Sequence, residues 1–145
     1  MNKVTIGIDP GKSGGICVIN EKGVEAFACP STIEEMASKI KDVVKTYKSK
    51  NITVAIENVH AFPTDTRSSS FKFGTNFGMW LGICASYELK VVRIQPITWM
   101  KSYGDYPKEK IERKRYFKML AGSYYQNLKV TLKTADAILI AKYYD

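Results

Sequence analysis

The sequence is poor in the residues that build disulfide frameworks, histidine-rich metal sites and membrane spans. Its 145 residues include three cysteines and a single histidine, His60. The cysteines, at 17, 29 and 84, show no short pairing pattern, which argues against a disulfide framework and against a zinc site. No apolar run approaches the roughly 18 residues that a membrane span needs. An apolar strand follows the first residues at once and leaves no room for a signal peptide. We therefore expect a cytoplasmic protein with reduced cysteines.

Acidic residues are few relative to basic ones. The chain carries 14 Asp and Glu against 22 Lys and Arg, which gives a formal net charge of +8. Such a surplus favours a polyanionic partner over a small acidic substrate. Nucleic acid is the first ligand that we predict, and the length is that of one domain over residues 1–145.

The first strand ends on a carboxylate. Residues 4–8 alternate apolar and small side chains at a period of two, which predicts a strand in a packed sheet. Asp9 ends this run, Pro10 and Gly11 stop it, and a glycine pair at 14–15 suits a hairpin into a second strand. Asp9 is therefore a candidate metal ligand or phosphate contact, unless it only caps an Asp-Pro-Gly turn.

The remaining pattern alternates strands and helices. We predict further strands over 16–19, 24–29, 52–57 and 90–94, the first three of the chain forming an antiparallel meander. Helices are predicted from 33 to about 48, with Ser31 or Thr32 as the cap, from 70 to 88, and over 132–141, capped by Thr134. Residues 58–70 lack periodicity and are predicted to be a loop.

Two further acids stand where apolar packing is expected. The strand over 52–57 is almost wholly apolar and, like the first, finishes on a carboxylate, Glu57. If the two strands are parallel neighbours, Glu57 and Asp9 lie side by side. In the last helix, Asp136 shares a face with Leu139 and Ile140. Glu57 could instead cap a loop, and Asp136 could merely satisfy the first helical turn.

Residues that could contact DNA occur in two segments. The loop and helix start around 67–73 carry Arg67, Lys72 and two phenylalanines, Phe71 and Phe73, which could insert between bases at a branch point or could pack inward. Residues 101–118 hold seven basic side chains against three acids, and Pro107 is predicted to open a helix there. This segment has the composition of a phosphate-tracking surface, although solvated lysines on a helix are the ordinary alternative.

The predicted helix over 70–88 has a face without side chains. Glycines recur at steps of four, at Gly74, Gly78 and Gly82. A stripe of this kind permits a close helix crossing, and we favour an interface between two subunits over an internal one.

Three short motifs occur in order along the chain: residues 7–11 (Gly-Ile-Asp-Pro-Gly), Glu57 at the end of a later strand, and residues 135–137 (Ala-Asp-Ala). Together they resemble the RuvC-type Holliday junction resolvases of the ribonuclease-H-like superfamily, and the small size suggests a bacteriophage member. The resemblance implies an α/β fold with a five-stranded mixed sheet, three antiparallel strands then two parallel ones, flanked by helices. It also implies a homodimer that nicks four-way DNA junctions symmetrically. Asp9, Glu57 and Asp136 would be catalytic carboxylates that bind Mg²⁺, for which Mn²⁺ substitutes, with up to two ions per subunit.

The resemblance also bears on the basic residues. Lys101 and either Lys108 or Lys110 resemble the phosphate-contacting lysines of these resolvases. One departure is Lys133, which stands where they place a fourth metal ligand. A protonated lysine cannot bind a metal, so a water or another acid completes the site, or Lys133 acts catalytically by neutralising the scissile phosphate. The predicted DNA contacts are Lys12, Arg67, Phe71, Lys72, Phe73, Lys101, Lys108, Lys110, Arg113 and Lys114.

Other functions remain open at this point. The same fold could serve as a catalytically weak or inactive binding protein for branched DNA, or as an RNA-processing relative. The turn over residues 8–11 also resembles that of the actin and sugar-kinase class, but those proteins need two such domains and this length allows one. No membrane partner and no small-molecule cofactor is expected.

Overall fold

The computed structural model describes residues 2–145 as a five-stranded sheet with helices on both faces. The strands are β1 (Val4–Asp9), β2 (Gly15–Asn20), β3 (Gly23–Ala28), β4 (Ile52–Glu57) and β5 (Lys90–Ile94). The helices are α1 (Ile33–Thr46), α2 (Arg67–Ser86), α3 (Pro96–Ser102), α4 (Lys110–Tyr124) and α5 (Ala135–Tyr144), with a short 3-10 turn over Ser49–Asn51.

The sheet is mixed, as predicted. Its strand order is β3-β2-β1-β4-β5, with β1 antiparallel to β2 and β2 antiparallel to β3. β4 lies parallel to β1 on one side and to β5 on the other. The apolar β4 is therefore internal, and its carboxyl end lies at the same edge of the sheet as that of β1.

Local chemistry explains where the first two helices begin. The Thr32 hydroxyl accepts a hydrogen bond from the Glu35 N–H at 3.2 Å, which confirms the predicted cap of α1. α1 ends at Thr46, slightly earlier than predicted, because the next residue is already extended. α2 begins at Arg67, three residues earlier than predicted, because the Thr66 hydroxyl caps it by accepting from the Ser69 N–H at 3.1 Å.

Two features of the C-terminal half differ from the sequence prediction. The prediction that Pro107 opens a helix is wrong, because the Glu109 carboxylate accepts hydrogen bonds from the Ile111 and Glu112 N–H groups and α4 starts after it. α3 was not predicted, and Pro96 occupies its first turn, where a missing N–H costs nothing. α5 does start after Thr134, but the Thr134 hydroxyl bonds with Thr131 instead of capping the helix.

Two apolar layers sandwich the sheet. α1 and α2 cover one face, where Ile6, Ile8 and Trp80 are among the fully buried side chains. α3, α4 and α5 cover the other face, where Trp99, Phe117 and the central residues of α5 are buried. The three cysteines are free, as predicted. Among residues 2–145, no helix has both the length and the apolar character needed to cross a membrane.

α5 lies unusually close to β1, and Gly7 makes this possible. A Cβ at Gly7 would clash with the Ala137 carbonyl oxygen and would lie 2.6 Å from the Ala141 amide nitrogen. Alanines on α5 and a glycine on β1 thus bring two backbones together. This contact holds the first turn of α5 beside the end of β1.

We predict that Gly7→Ala lowers the free energy of unfolding by about 1–3 kcal/mol, because α5 must move away from β1 to admit the methyl group. Urea denaturation measures the change. Gly122→Ala in α4 is the control, because a Cβ at Gly122 would have no neighbouring atom within 4 Å. This control should be stabilised by up to about 1 kcal/mol through helix propensity. Equal effects of the two substitutions would contradict the close-packing explanation.

Candidate active site

Three carboxylates from distant parts of the chain lie near one edge of the sheet. Asp9 ends β1 and Glu57 ends β4, and the register that pairs Ile8 with Ile56 makes the two acids neighbours. Asp136 is the second residue of α5, where the positive end of the helix dipole favours a negative charge. The side-by-side placement that the sequence suggested for Asp9 and Glu57 is therefore observed.

Asp9 and Asp136 are almost removed from solvent. Asp9 is 8% exposed and Asp136 is 7% exposed. Burial raises the pKa of Asp9 well above its usual value, and the negative charges of Asp136 and Glu57 raise it further, while Lys114 opposes them. The fold thus holds like charges together in a poorly solvated place, which is common at functional sites.

Glu57 is oriented by a tryptophan. The indole Nε1–H of Trp99, a residue of α3, donates to Glu57 Oε2 at 2.7 Å. Burial raises the pKa of Glu57, the bond from Trp99 offsets part of this rise, and the charge of Asp136 adds to it. Trp99 is itself fully buried, so the position of the carboxylate is set by a rigid partner.

Lys114 places a positive charge beside the carboxylate cluster formed by Asp9, Glu57 and Asp136. Its ammonium group donates to Asp136 Oδ2, whereas Asp136 Oδ1 is buried and has no hydrogen-bond partner. Burial lowers the pKa of Lys114, but the charges of Asp136, Asp9 and Glu57 outweigh burial and raise the pKa above its usual value. Arg113 lies near enough for its charge to lower the pKa of Glu57.

The donor set suits a hard divalent cation. Carboxylate oxygens are the ligands that Mg²⁺ and Mn²⁺ prefer, and the partnerless Asp136 Oδ1 is an acceptor that such an ion would satisfy. Within residues 2–145, no three His, Cys, Asp or Glu side chains approach closely enough to share an ion as they stand. Lys114 occupies part of the cluster instead.

The predicted DNA contacts fall into different surroundings. Lys114 is the one that contacts a cluster carboxylate, and Arg113 lies beside it while donating to the Lys108 carbonyl oxygen at 3.0 Å. Phe71 is 76% exposed and does not pack inward, and Phe73 is 47% exposed. Exposed positions without a contact to the carboxylates are Lys12, Arg67, Lys72, Lys101, Lys108 and Lys110. The DNA-binding roles of all these residues stay predictions.

Lys133 lies in the turn that leads into α5. Its backbone carbonyl packs against Gly15, at 2.5 Å from where a Cβ would stand, and its side chain is exposed. The lysine paired with Asp136 is Lys114. The catalytic role of Lys133 stays a prediction.

The sequence did not predict that Trp99 orients Glu57 or that Lys114 pairs with Asp136. Trp99 lies on α3, which was not predicted. Lys114 was predicted only as a DNA contact, although a signal existed, because Lys114, Phe117 and Ala121 are spaced to share one helix face. Phe117 and Ala121 are buried, so this face carries Lys114 inward.

The raised pKa values predict how stability depends on pH without divalent cations. The folded state holds protons on Asp9 and Glu57 more tightly than the unfolded chain does. The free energy of unfolding should therefore fall as the pH rises from the unfolded pKa values near 4 through the raised folded values. Urea denaturation in a chelator, repeated across this range, measures the fall.

Asp9→Asn should reduce this pH dependence and should be more stable than the wild type at neutral pH. Glu21→Gln is the control, because Glu21 is exposed in the turn after β2, and it should follow the wild-type curve. Parallel curves for the wild type and Asp9→Asn would contradict the proposed repulsion within the cluster.

Comparisons with known proteins identify the fold. No protein-family model and no curated protein matches this chain. Among solved structures, it is similar to Thermus thermophilus RuvC in complex with a Holliday junction substrate, with a TM-score of 0.68 and 16% identity over 97% of this chain and 91% of that one.

A second Thermus thermophilus RuvC structure matches with a TM-score of 0.65 and 18% identity, over 97% of this chain and 92% of that one. The yeast mitochondrial Holliday junction resolvase Ydc2 matches with a TM-score of 0.51 and 13% identity, over 99% of this chain and 78% of that one. At these identities the similarity concerns the arrangement of the elements, so the chain has the ribonuclease-H-like fold of the RuvC-type resolvases.

Proposed function

We propose that this protein is an endonuclease that cuts branched DNA, four-way junctions in particular, with the help of divalent cations. The observation that carries the proposal is the gathering of Asp9, Glu57 and Asp136 at one sheet edge beside Lys114. Carboxylate clusters of this kind bind the ions that promote phosphodiester hydrolysis. The net charge of +8 and the likeness to a RuvC structure that contains a Holliday junction support DNA as the substrate.

Asp9, Glu57 and Asp136 would hold Mg²⁺ or Mn²⁺, up to two ions per subunit. Bound ions of this type activate water and stabilise the negative charge of the leaving oxygen. Trp99 keeps one Glu57 oxygen fixed and leaves the other free to bind. Lys114 offers a positive charge where a phosphodiester would meet the cluster.

The DNA would extend from the carboxylates along two elements. The first turns of α2 offer Arg67, Lys72 and the exposed Phe71 and Phe73, whose rings could stack on unpaired bases at the branch point. α4 and the segment before it offer Lys108, Lys110 and Arg113 for phosphates. Lys12 and Lys101 complete the proposed surface.

A branched-DNA-binding protein without nuclease activity is the second candidate. Two lysines favour it: Lys114, which already pairs with Asp136, and Lys133, which stands where the RuvC-type resemblance places a fourth ligand. In this case junction DNA would bind but would not be cut with either Mg²⁺ or Mn²⁺.

We predict that the wild type converts a synthetic four-way junction into nicked duplexes in Mg²⁺. Asp9→Asn should reduce the cleavage rate by at least about a thousandfold, because it removes a charged oxygen from the cluster, yet it should bind the junction as tightly. Gel assays of cleavage and of retardation measure the two properties. Asp42→Asn is the matched control on the outer face of α1 and should cut normally. Equal cutting by Asp9→Asn would contradict the proposed site.

Symmetric nicking of two strands requires two active sites, so we propose a homodimer. The face of α2 that carries Gly74, Gly78 and Gly82 is open, with no atom within 4 Å of a Cβ at any of them. We predict that the wild type sediments at twice the mass of the 16.3 kDa chain and that Gly78→Arg sediments as a monomer. Gly122→Arg on α4 is the control and should stay dimeric. A monomeric wild type would contradict this interface.

A further inference from the structure

The loop that follows Asp9 is tightly folded. Residues 10–14 connect β1 to β2, and the Gly14 N–H donates to the Gly11 carbonyl oxygen at 3.0 Å. Gly11 has a φ of +108°, a conformation that side chains larger than hydrogen rarely adopt. Gly14 packs so closely that a Cβ would clash with the Asp9 carbonyl oxygen. The loop therefore turns back onto the residue that carries the carboxylate.

Asn76 fastens this loop to α2. Its Oδ1 accepts a hydrogen bond from the Gly11 N–H at 2.8 Å, and its Nδ2 donates to Cys29 Sγ at 3.8 Å. The Cys29 N–H in turn donates to the Gly14 carbonyl oxygen at 2.9 Å. One amide side chain thus joins the helix, the loop and the segment just after β3.

Phe73, also on α2, packs against the loop at Gly11. A Cβ on Gly11 would lie 2.9 Å from Cε1 of the Phe73 ring, so the ring rests directly on the Gly11 backbone. Asn76 follows Phe73 by three residues, which places both side chains on one face of α2. Gly11 is therefore held between a hydrogen bond and an aromatic ring.

Little freedom remains between this contact and the carboxylate. Pro10 stands between Asp9 and Gly11, and its ring fixes φ near −65°. With the Gly11 N–H held by Asn76 and Asp9 held in the β1 ladder against Gly15, the short connection has few adjustable torsions. The sheet therefore holds the Asp9 backbone on one side, and the loop fixed by Asn76 holds it on the other.

We propose that Asn76 is a positioning residue that aligns Asp9 for metal binding and cleavage, an inference that rests on the proposed nuclease function. Its contact lies on the helix whose first turns present Phe71 and Lys72. DNA bound at that end of α2 and the alignment of Asp9 therefore depend on one rigid element. The hydrogen bonds of Asn76 join it to Gly11 and Cys29 and to none of the three carboxylates, so it would act on Asp9 through the loop.

The test compares Asn76→Ala with Asn20→Ala. Asn20 is a matched control because its Oδ1 accepts from the Lys22 N–H, also at 2.8 Å, in the remote turn between β2 and β3. In Asn76→Ala, kcat on a four-way junction in Mg²⁺ should fall about 10- to 100-fold. The dissociation constant for the junction, measured in chelator, should stay within about twofold because the DNA-contacting residues are intact. Asn20→Ala should match the wild type in both.

Two further readouts do not depend on cleavage. Hydrogen exchange at the Gly11 amide, followed by NMR, should be slow in the wild type, faster in Asn76→Ala, and slow again in Asn76→Asp, which keeps an oxygen acceptor at the same place. Calorimetric titration should show weaker Mg²⁺ binding by Asn76→Ala than by Asn20→Ala. If Asn76→Ala does not fold, Asn76→Ser removes the same contact with a smaller loss of volume.

The outcomes separate the two proposals. A wild type that does not cut junctions contradicts the proposed function. Unchanged Gly11 exchange or unchanged Mg²⁺ affinity in Asn76→Ala overturns the positioning role, whatever the activity. A loss of junction affinity with kcat preserved also overturns it, because Asn76 would then act in DNA binding.

Discussion

Repulsion among three neighbouring carboxylates, two of them buried and Glu57 half-buried, is the constraint that the rest of the structure must oppose. Burial and the negative charge of Asp136 raise the pKa values of Asp9 and Glu57, so holding these acids together in their ionised form costs free energy. The elements around the carboxylates are closely packed and keep them together. β1 and β4 are internal strands with apolar layers on both faces, and α5 is locked onto β1 by the backbone contact at Gly7.

The supports of the cluster come from elements that also form the proposed DNA surface. α4 carries Lys114 inward to Asp136 and basic side chains outward, and α3 carries Trp99 to Glu57. α2 presents Phe71 to solvent and holds the loop after Asp9 through Asn76. Three helices, α2, α3 and α4, therefore each support one of the acids or its loop, and each carries part of the proposed DNA surface.

Patterns local in sequence predicted the strands of the sheet and singled out all three acids, Asp136 through its helical spacing with Leu139 and Ile140. Period-two alternation in β1 and the continuous apolar run of β4 place Asp9 and Glu57 at strand ends, and parallel pairing then makes them neighbours. Features that depend on tertiary packing were less accessible. α3 is a single short helix that begins at Pro96, and a proline at this point is equally typical of a turn, so the sequence did not reveal the helix. The inward direction of Lys114 results from the packing of α4 on α5, which a local pattern does not contain. The start of α4 was misplaced because the Glu109 cap outweighs the preference of Pro107 for a first turn.

The most direct test of a divalent-cation site is anomalous diffraction from crystals soaked in Mn²⁺. We expect a strong anomalous peak within coordination distance of Asp9 and Asp136, with Glu57 beside it and the Lys114 ammonium displaced from Asp136 Oδ2. Crystals that show no peak at these carboxylates at millimolar Mn²⁺, with Lys114 still bound to Asp136, would contradict it.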